Sequence, residues 1–499
     1  MLWIGTDDGR VHYTQNGGET WVEVTKNIKG LPTGSWIPQI KASQNNKGEA
    51  LLIANDYRRF NYTPYAYRTK DYGKTWTRIV DENDVESYTL SIIEDPKNPN
   101  LMFLGTDDGL YLSLDAGNNW KKWNKDFPTV STKDLAIHPR EQDLVIGTFG
   151  RAAWVLDDIR PLRKLAGNTS VLEKEIGLFD SPDAYLAAYQ QPTGGRFGGD
   201  AIYSGENRES GAMITYYLKE GADKSKEEKK DESEEDDKAE DEKPKEKTKD
   251  SIFFEFYDGD RLIRTLKYKT PEKAGFHRVY WNLDEKGPDR PSRTISKRDR
   301  ERGGIEVKPG TYKVKAIYGD VSDSTMVTVK TDPRLDVDLA SINEVYETGK
   351  KLEGYTQTAA DAVKQLVESK NLAEKFKKEL KELDKDKFKE QIKASEEITK
   401  QIDSVIALYL GKEDKRQGIT DDPEPNVMTR LGDASYYVNT RKSGITGTER
   451  RMIRFAEEEL KAALESTNTF FNDEWKSYRT SIESLDLSPF KETESFELK

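Results

Sequence analysis

The chain has 499 residues, 34% hydrophobic and 34% charged, with a formal net charge of −12 and no cysteine. That length predicts two to four domains. The acidity argues against nucleic acid or an anionic membrane surface as partner, and the missing thiols exclude disulfides, a cysteine nucleophile and zinc–thiolate sites.

The first residues, MLWIGTDDGR, lack a basic region followed by an apolar stretch, so they read as the middle of a strand and not as a signal peptide. GTDDG at 5–9 returns at 105–109, and GTFGR at 147–151 keeps its Gly-Thr. An octet is written three times: TQNGGETW (14–21), TKDYGKTW (69–76) and SLDAGNNW (113–120). The surrounding units fall near 2–25, 36–80, 88–124 and 131–181. Each reads as short strands broken by Gly, Asp and Asn, the residues of tight hairpins. In the third unit these are YTLSIIE, LMFLGT, LYLSL and NWKKW. Four strands in a repeat of roughly 40–55 residues predict a propeller blade.

The octet then spans the hairpin between the third and fourth strands of a blade. Thr14, Thr69 and Ser113 open it. Asn16, Asp71 and Asp115 accept backbone N–H bonds within the turn, as in an Asx turn. Gly18, Gly73 and Gly117 supply positive φ. Trp21, Trp76 and Trp120 return between blades, where burying an indole contributes roughly 4–6 kcal/mol. The phrase is predicted to be structural.

This phrase resembles the Asp box of the BNR-repeat propellers, which include sialidases, xyloglucanase-type glycosidases, photosystem assembly factors and the sortilin ectodomain. The runs YRRFNYTPYAYRTKDYGKTW (57–76) and GTFGRAAWVLDDIRPL (147–162) resemble the large bacterial sortilin-like BNR proteins often described as glycosyl hydrolases. The resemblance covers the whole chain, as the C-terminal half of such a protein. It implies that the Asp boxes lie away from the ligand face. It also implies a secreted, periplasmic or outer-membrane-associated protein. The first unit begins at its second strand, and three and a half blades close no ring of the usual size. Further N-terminal blades are therefore expected, with any signal peptide among them. The alternative is a ring completed by another chain.

After residue 181 the pattern changes. Apolar–polar alternation in MITYYLK, IFFEFYDG, RLIRTLKY, HRVYWNL, GTYKVKAIYG and STMVTVK predicts an Ig-like β-sandwich over 182–335. AGFHRVYWNLDEKG with VKPGTYKV resembles Ig-like domains appended to secreted bacterial proteins, which makes Trp281 core and His277 structural. PTGGRFGGD (192–200) lacks the strand and helix context of a phosphate loop and reads as a linker. The insertion at 219–250 is almost all Lys, Glu and Asp, so it reads as a disordered loop on a hairpin. Its DESEEDD run is a weak calcium candidate.

From 336 to 499 the periodicity turns helical and predicts an antiparallel bundle, broken at DDPEPN (421–426). Gly411 suits a C-cap, and Thr446 with Glu449 fits a capping box. The longest apolar run, VIALYL (405–410), is far short of a membrane span. The fold class is therefore multidomain and mainly β with an α tail: a partial β-propeller over 1–181, a sandwich and a bundle.

For chemistry, the three histidines, His12, His138 and His277, sit at no metal-ligand spacing, and neither G-x-S-x-G nor H-E-x-x-H occurs. No cofactor and no metal are expected. The Arg-Ile-Pro phrase of sialidases is absent. Asp7, Asp8, Asp107 and Asp108 of the GTDDG hairpins, with Arg151 of GTFGR, join second to third strands, opposite the Asp boxes. They are the ligand-face candidates, although Asp-Gly is also what a type I′ turn requires. The favoured function is a non-catalytic interaction protein binding a protein or carbohydrate ligand, a peptide or glycan, on that face. The alternative is a xyloglucanase-like glycoside hydrolase whose carboxylate pair lies largely outside this chain. Sortilin receptors carry a cysteine-rich module that this chain lacks.

Overall fold

The computed structural model describes residues 1–187, 208–222, 249–295, 300–412, 424–440 and 443–485. The 192–200 linker, most of the 219–250 insertion with its DESEEDD run, and the first part of DDPEPN lie outside the described residues. The described chain is mainly β as far as Thr331 and helical from Leu339 onward.

Four antiparallel meanders come first. The first holds β1 (Leu2–Gly5), β2 (Val11–Thr14) and β3 (Val22–Glu23). The second holds β4 (Trp36–Ala42), β5 (Ala50–Asp56), β6 (Asn61–Thr69) and β7 (Thr77–Arg78). The third holds β8 (Thr89–Glu94), β9 (Met102–Thr106), β10 (Gly109–Ser113) and β11 (Lys121–Trp123). The fourth holds β12 (Thr132–Ile137), β13 (Leu144–Thr148) and β14 (Ala153–Leu156).

Period-2 alternation explains how they stack. Side chains on a strand alternate between faces. In β5, Leu52 and Ala54 pack toward the first sheet, while Leu51 and Ile53 pack toward the third. In β9, Met102 and Leu104 face the second sheet and Phe103 the fourth. Both faces of the middle sheets are therefore buried, and β4, β8 and β12 stand side by side. This is the arrangement of propeller blades. The outermost faces are bare: Leu2 and Ile4 are 51% and 44% exposed, and Val155 is 57% exposed.

The fourth unit departs from the four-strand expectation. It stops at three strands, and the chain enters a short helix, α1 (Arg160–Leu165), with Pro161 in its first turn. Proline lacks an N–H for a ladder and suits a helix start.

A second β body follows, built of β15 (Ile176–Leu178), β16 (Ala184–Leu186), β17 (Ala212–Leu218), β18 (Ser251–Asp258), β19 (Arg261–Lys269), β20 (Gly275–Trp281), β21 (Asp284–Lys286), β22 (Gly303–Glu306), β23 (Gly310–Tyr318) and β24 (Val321–Thr331). One sheet runs β15-β17-β20 and the other β16-β24-β23-β18-β19, with one shared core between them. Trp281 is fully buried there, stacked on Phe256 at 4.5 Å, and its indole N–H donates to the Asp284 carbonyl at 2.8 Å. β17 and β18, the strands flanking the charged insertion, lie in different sheets. The insertion therefore joins two sheets and does not cap a hairpin. β17 is buried along nearly its whole length and β18 at every second residue, and neither pattern names a partner strand.

Among the described residues four longer helices follow, α2 (Leu339–Asp384), α3 (Lys389–Leu410), α4 (Val427–Asn439) and α5 (Gly447–Phe470), and then α6 (Lys476–Glu483). Ile392, Ile398 and Ile402 of α3 share a core with Ala456 and Leu460 of α5. Gly411 caps α3 with φ of 73°, and Thr446 and Glu449 form the reciprocal capping box. The β body grips α2 through Glu285, which accepts from the two terminal guanidinium nitrogens of Arg261 at 2.8 and 3.0 Å and from the Tyr346 hydroxyl. Burial alone would push this carboxyl up. Bonds from Arg261 and Tyr346, with the charge of Lys350, overcome burial and hold it at about 2.

Candidate functional site

The three octets make one bonding pattern. The Gly73 N–H donates to Thr69 Oγ1 at 2.9 Å, and the Thr75 N–H donates to Asp71 Oδ1 at 2.8 Å. The same bonds run from Gly117 to Ser113 and from Asn119 to Asp115, and from Gly18 to Thr14 and Thr20 to Asn16. Gly18, Gly73 and Gly117 all have positive φ. These bonds, first among them the Thr75 N–H, hold the Asp71 carboxyl below the usual carboxylate range. In each octet the opening hydroxyl and the carboxylate or amide two residues on are spent on N–H groups of their own turn. The tryptophans differ from one another. Trp120 is 5% exposed, donating to the Ile79 carbonyl at 2.7 Å, and Trp76 is 9% exposed, edge-on to Trp3. Trp21 is 39% exposed, because among the described residues no sheet lies on its side of the first meander.

Antiparallel pairing puts the hairpins between second and third strands at the opposite end. These are 6–10, 57–60, 107–108 and 149–152. In the first, Asp8 accepts from Thr6 and pairs with Arg10 at 3.3 Å, so it closes its own turn. Asp7 is exposed. In the third, Asp108 accepts from Thr106 at 2.6 Å and from Lys122 at 2.7 Å, again a turn role. Asp107 turns the other way and bonds the Tyr88 hydroxyl. In the fourth, Arg151 is exposed beside Phe149, itself 73% exposed, and the Trp154 indole N–H donates to the Arg151 carbonyl at 2.9 Å.

The second hairpin carries what the sequence candidates omitted. Tyr57 stacks on Tyr88 of the third unit, with centroids 5.0 Å apart and planes at 19°. Tyr62 lies 6.1 Å from Tyr88, and Trp36 lies 6.5 Å from Tyr57. The Arg58 guanidinium sits 4.9 Å over the Trp36 ring. The Ile37 N–H donates to the Thr6 carbonyl at 3.1 Å, which sets the first hairpin beside Trp36. Burial and then the bond to Asp107 push the Tyr88 phenol well above its ordinary range. Phe60 stands at the tip, 87% exposed, with φ of 61°. A bulky residue held left-handed costs roughly 1–2 kcal/mol, and such strain clusters at ligand sites.

Of the sequence candidates, Asp107 joins this aromatic cluster. Asp8 and Asp108 complete turns, and no contact among the described residues joins Arg151 to the Tyr57–Tyr88 stack. The missed residues were signalled by YRRFNY itself, in which two arginines lie between aromatics at a hairpin tip. Among the described residues no group of three or more His, Asp or Glu is placed to hold a metal. The aspartates whose carboxyls are pushed up, Asp157 and Asp284, both chiefly by burial, lie just beyond β14 and in β21, away from this face.

Residues 65–159, from within β6 through the fourth meander, match the family model Sortilin-Vps10, described as "Sortilin, neurotensin receptor 3". No curated protein matches the chain. Among solved structures, the GH74 enzyme of Niastella koreensis is 16% identical over 36% of this chain and 29% of its own, with a TM-score of 0.26. The GH74 xyloglucanase of Xanthomonas campestris is 13% identical over 64% of this chain and 43% of its own, also at 0.26. The computationally designed Ika4 protein is 11% identical over 31% of this chain and 83% of its own, at 0.23. The chain thus spans less than half the length of either enzyme, and likenesses this partial carry no argument about its activity. The family match falls on the meanders, where a sortilin-like set of propeller blades is what the strands and turns build.

Proposed function

We propose that this chain is a non-catalytic binding protein of the cell envelope or the secreted fraction, which takes a peptide or glycan on the aromatic and arginine face. Phe60 carries the proposal. A phenyl ring 87% exposed and strained at a hairpin tip contributes nothing to folding that a smaller residue would not. Beneath it, the Tyr57–Tyr88 stack ties two units together and holds the hairpin in place. Preorganised aromatics bind at low entropic cost.

The state of the carboxylates supports binding over hydrolysis. A glycosidase needs a facing pair with one carboxyl raised to act as acid. On this face Asp8 is lowered, first by its bond from Thr6, and Asp108 is paired with Lys122. The decisive experiment presents peptide and polysaccharide panels to the purified full chain on a biosensor while assaying released reducing ends. Saturable binding lost in Phe60→Ala, with no released sugar, is expected. Turnover of a bound glycan would overturn the proposal.

A further inference from the structure

We infer that the ligand is an acidic polysaccharide, a run of sugar rings bearing uronate carboxylates; the inference rests on the binding role proposed for this face. The first ground is charge. The chain as a whole carries −12, yet the anions at this end, the exposed Asp7 excepted, carry partners of their own. Asp8 pairs with Arg10, Asp56 with Arg59 at 2.6 Å and Asp108 with Lys122, while Asp107 is bonded to Tyr88. The cations are not compensated in this way. Among the described residues Arg58 forms no ion pair and is held only by the Trp36 and Tyr57 rings, 4.9 and 5.9 Å away. Lys133 lies 5.6 Å over Phe149, and Arg151 stands exposed on the same hairpin as Phe149. Arg58, Lys133 and Arg151 thus stand at one end with no ion pair among the described residues, and such cations steer and retain anions.

The second ground is shape. A guanidinium set over an indole face and engaged in no ion pair among the described residues has N–H groups left to meet a carboxylate through two parallel bonds. Phe60, Tyr62 and Phe149 are 87%, 54% and 73% exposed, so ring faces lie open beside the cations. A pyranose presents a flat apolar C–H face that stacks on such rings, and its carboxylate projects from the rim toward an arginine. A peptide draws affinity from a free strand edge or from pockets for alternate side chains. This end offers hairpin tips, whose ladders close within each sheet, as where Ala54 faces Tyr65 and Asp56 faces Asn61. Aromatic–cation pairs on the second and fourth units also suit a ligand long enough to touch both.

The test titrates the full chain with polygalacturonate, with the same polymer after reduction of its carboxyls, with a neutral β-glucan and with polyglutamate. Polygalacturonate should bind with an affinity that falls steeply with salt, and carboxyl reduction should weaken binding about tenfold or more. Arg58→Gln, at an exposed position, should weaken polygalacturonate about five- to tenfold, a several-fold larger loss than for the reduced polymer. Phe60→Ala should weaken both polymers. Equal binding of the native and reduced polymers would overturn the inference while leaving the binding role intact, as would polyglutamate binding as tightly as the uronate. Failure of every peptide and glycan would remove both.

Discussion

The Tyr57 ring lies flat against that of Tyr88, 5.0 Å between centroids, although one belongs to the second unit and the other to the third. Tyr88 opens the innermost strand of its sheet, and Tyr57 sits on the long hairpin of the neighbouring one. The stack therefore serves as structure and as foundation of the site. Tyr57→Ala should cost about 1–2 kcal/mol in a urea melt. Tyr88→Phe keeps the stack, loses the bond to Asp107 and should cost about 1 kcal/mol. An unchanged melt for Tyr57→Ala would mean that the rings merely touch.

The octet makes a sharp chemical prediction. Asn16 accepts from the Thr20 N–H as Asp71 accepts from the Thr75 N–H, and its amide donates to the Thr20 hydroxyl where Asp71 accepts from that of Thr75. Asp71→Asn should therefore be nearly neutral at pH 7, whereas Asp71→Ala leaves the Thr75 N–H without its acceptor and should cost about 1–2 kcal/mol. The pH dependence has a definite sign. The Asp71 carboxyl is lowered in the folded state. Its contribution is full above its ordinary value of 3.8 and is lost as pH falls below that. Wild type should lose stability there faster than Asp71→Asn, as acid titrations followed by fluorescence would reveal.

The three tryptophans should rank by burial, not by motif. Trp120 is 5% exposed and Trp21 39%. Trp120→Ala should cost roughly 3–5 kcal/mol, while Trp21→Ala should cost about 1 kcal/mol or less. Equal losses in thermal unfolding would contradict the bare outer face of the first meander.

Glu285 governs the junction of the second β body with α2. Its carboxyl sits at about 2, below its ordinary 4.5. A depressed pKa stabilises above the ordinary value, and that stability, on the order of 3 kcal/mol, disappears as pH falls from 4.5 toward 2. Glu285→Gln should lose most of it at neutral pH and flatten the acid limb. Hydrogen exchange along the first turns of α2 would report the loosening. Protection unchanged in Glu285→Gln would show that apolar packing alone holds the joint.

Another buried charge cluster locks the second and third units. The Arg68 guanidinium lies 3.1 Å from Glu49 and 3.2 Å from Glu94, all three nearly inaccessible to water. Arg68→Met strands two carboxylates and should cost about 3–5 kcal/mol. Adding Glu49→Gln and Glu94→Gln to Arg68→Met should restore part of that stability. An additive triple mutant would argue against coupling.

What the sequence determined by itself is local. The unbroken apolar runs that open LLIAND and LMFLGT suit strands buried on both faces, because successive side chains of a strand point to opposite sides. The octet prescribes its turn, because a hydroxyl, a carboxylate or amide, and a glycine at fixed offsets satisfy one another within eight residues. The Thr446 box is equally self-contained. Tertiary structure decided whatever depends on a neighbour. Trp21 carries the same motif as Trp120 and stays exposed, since burial needs a second sheet. β17 and β18 are successive strands and join different sheets, since strand partners are chosen by the whole core. The site draws Trp36, Tyr57, Tyr88 and Asp107 from two units, and no periodicity links positions so far apart. Only the stacking of one sheet on the next brings them within reach.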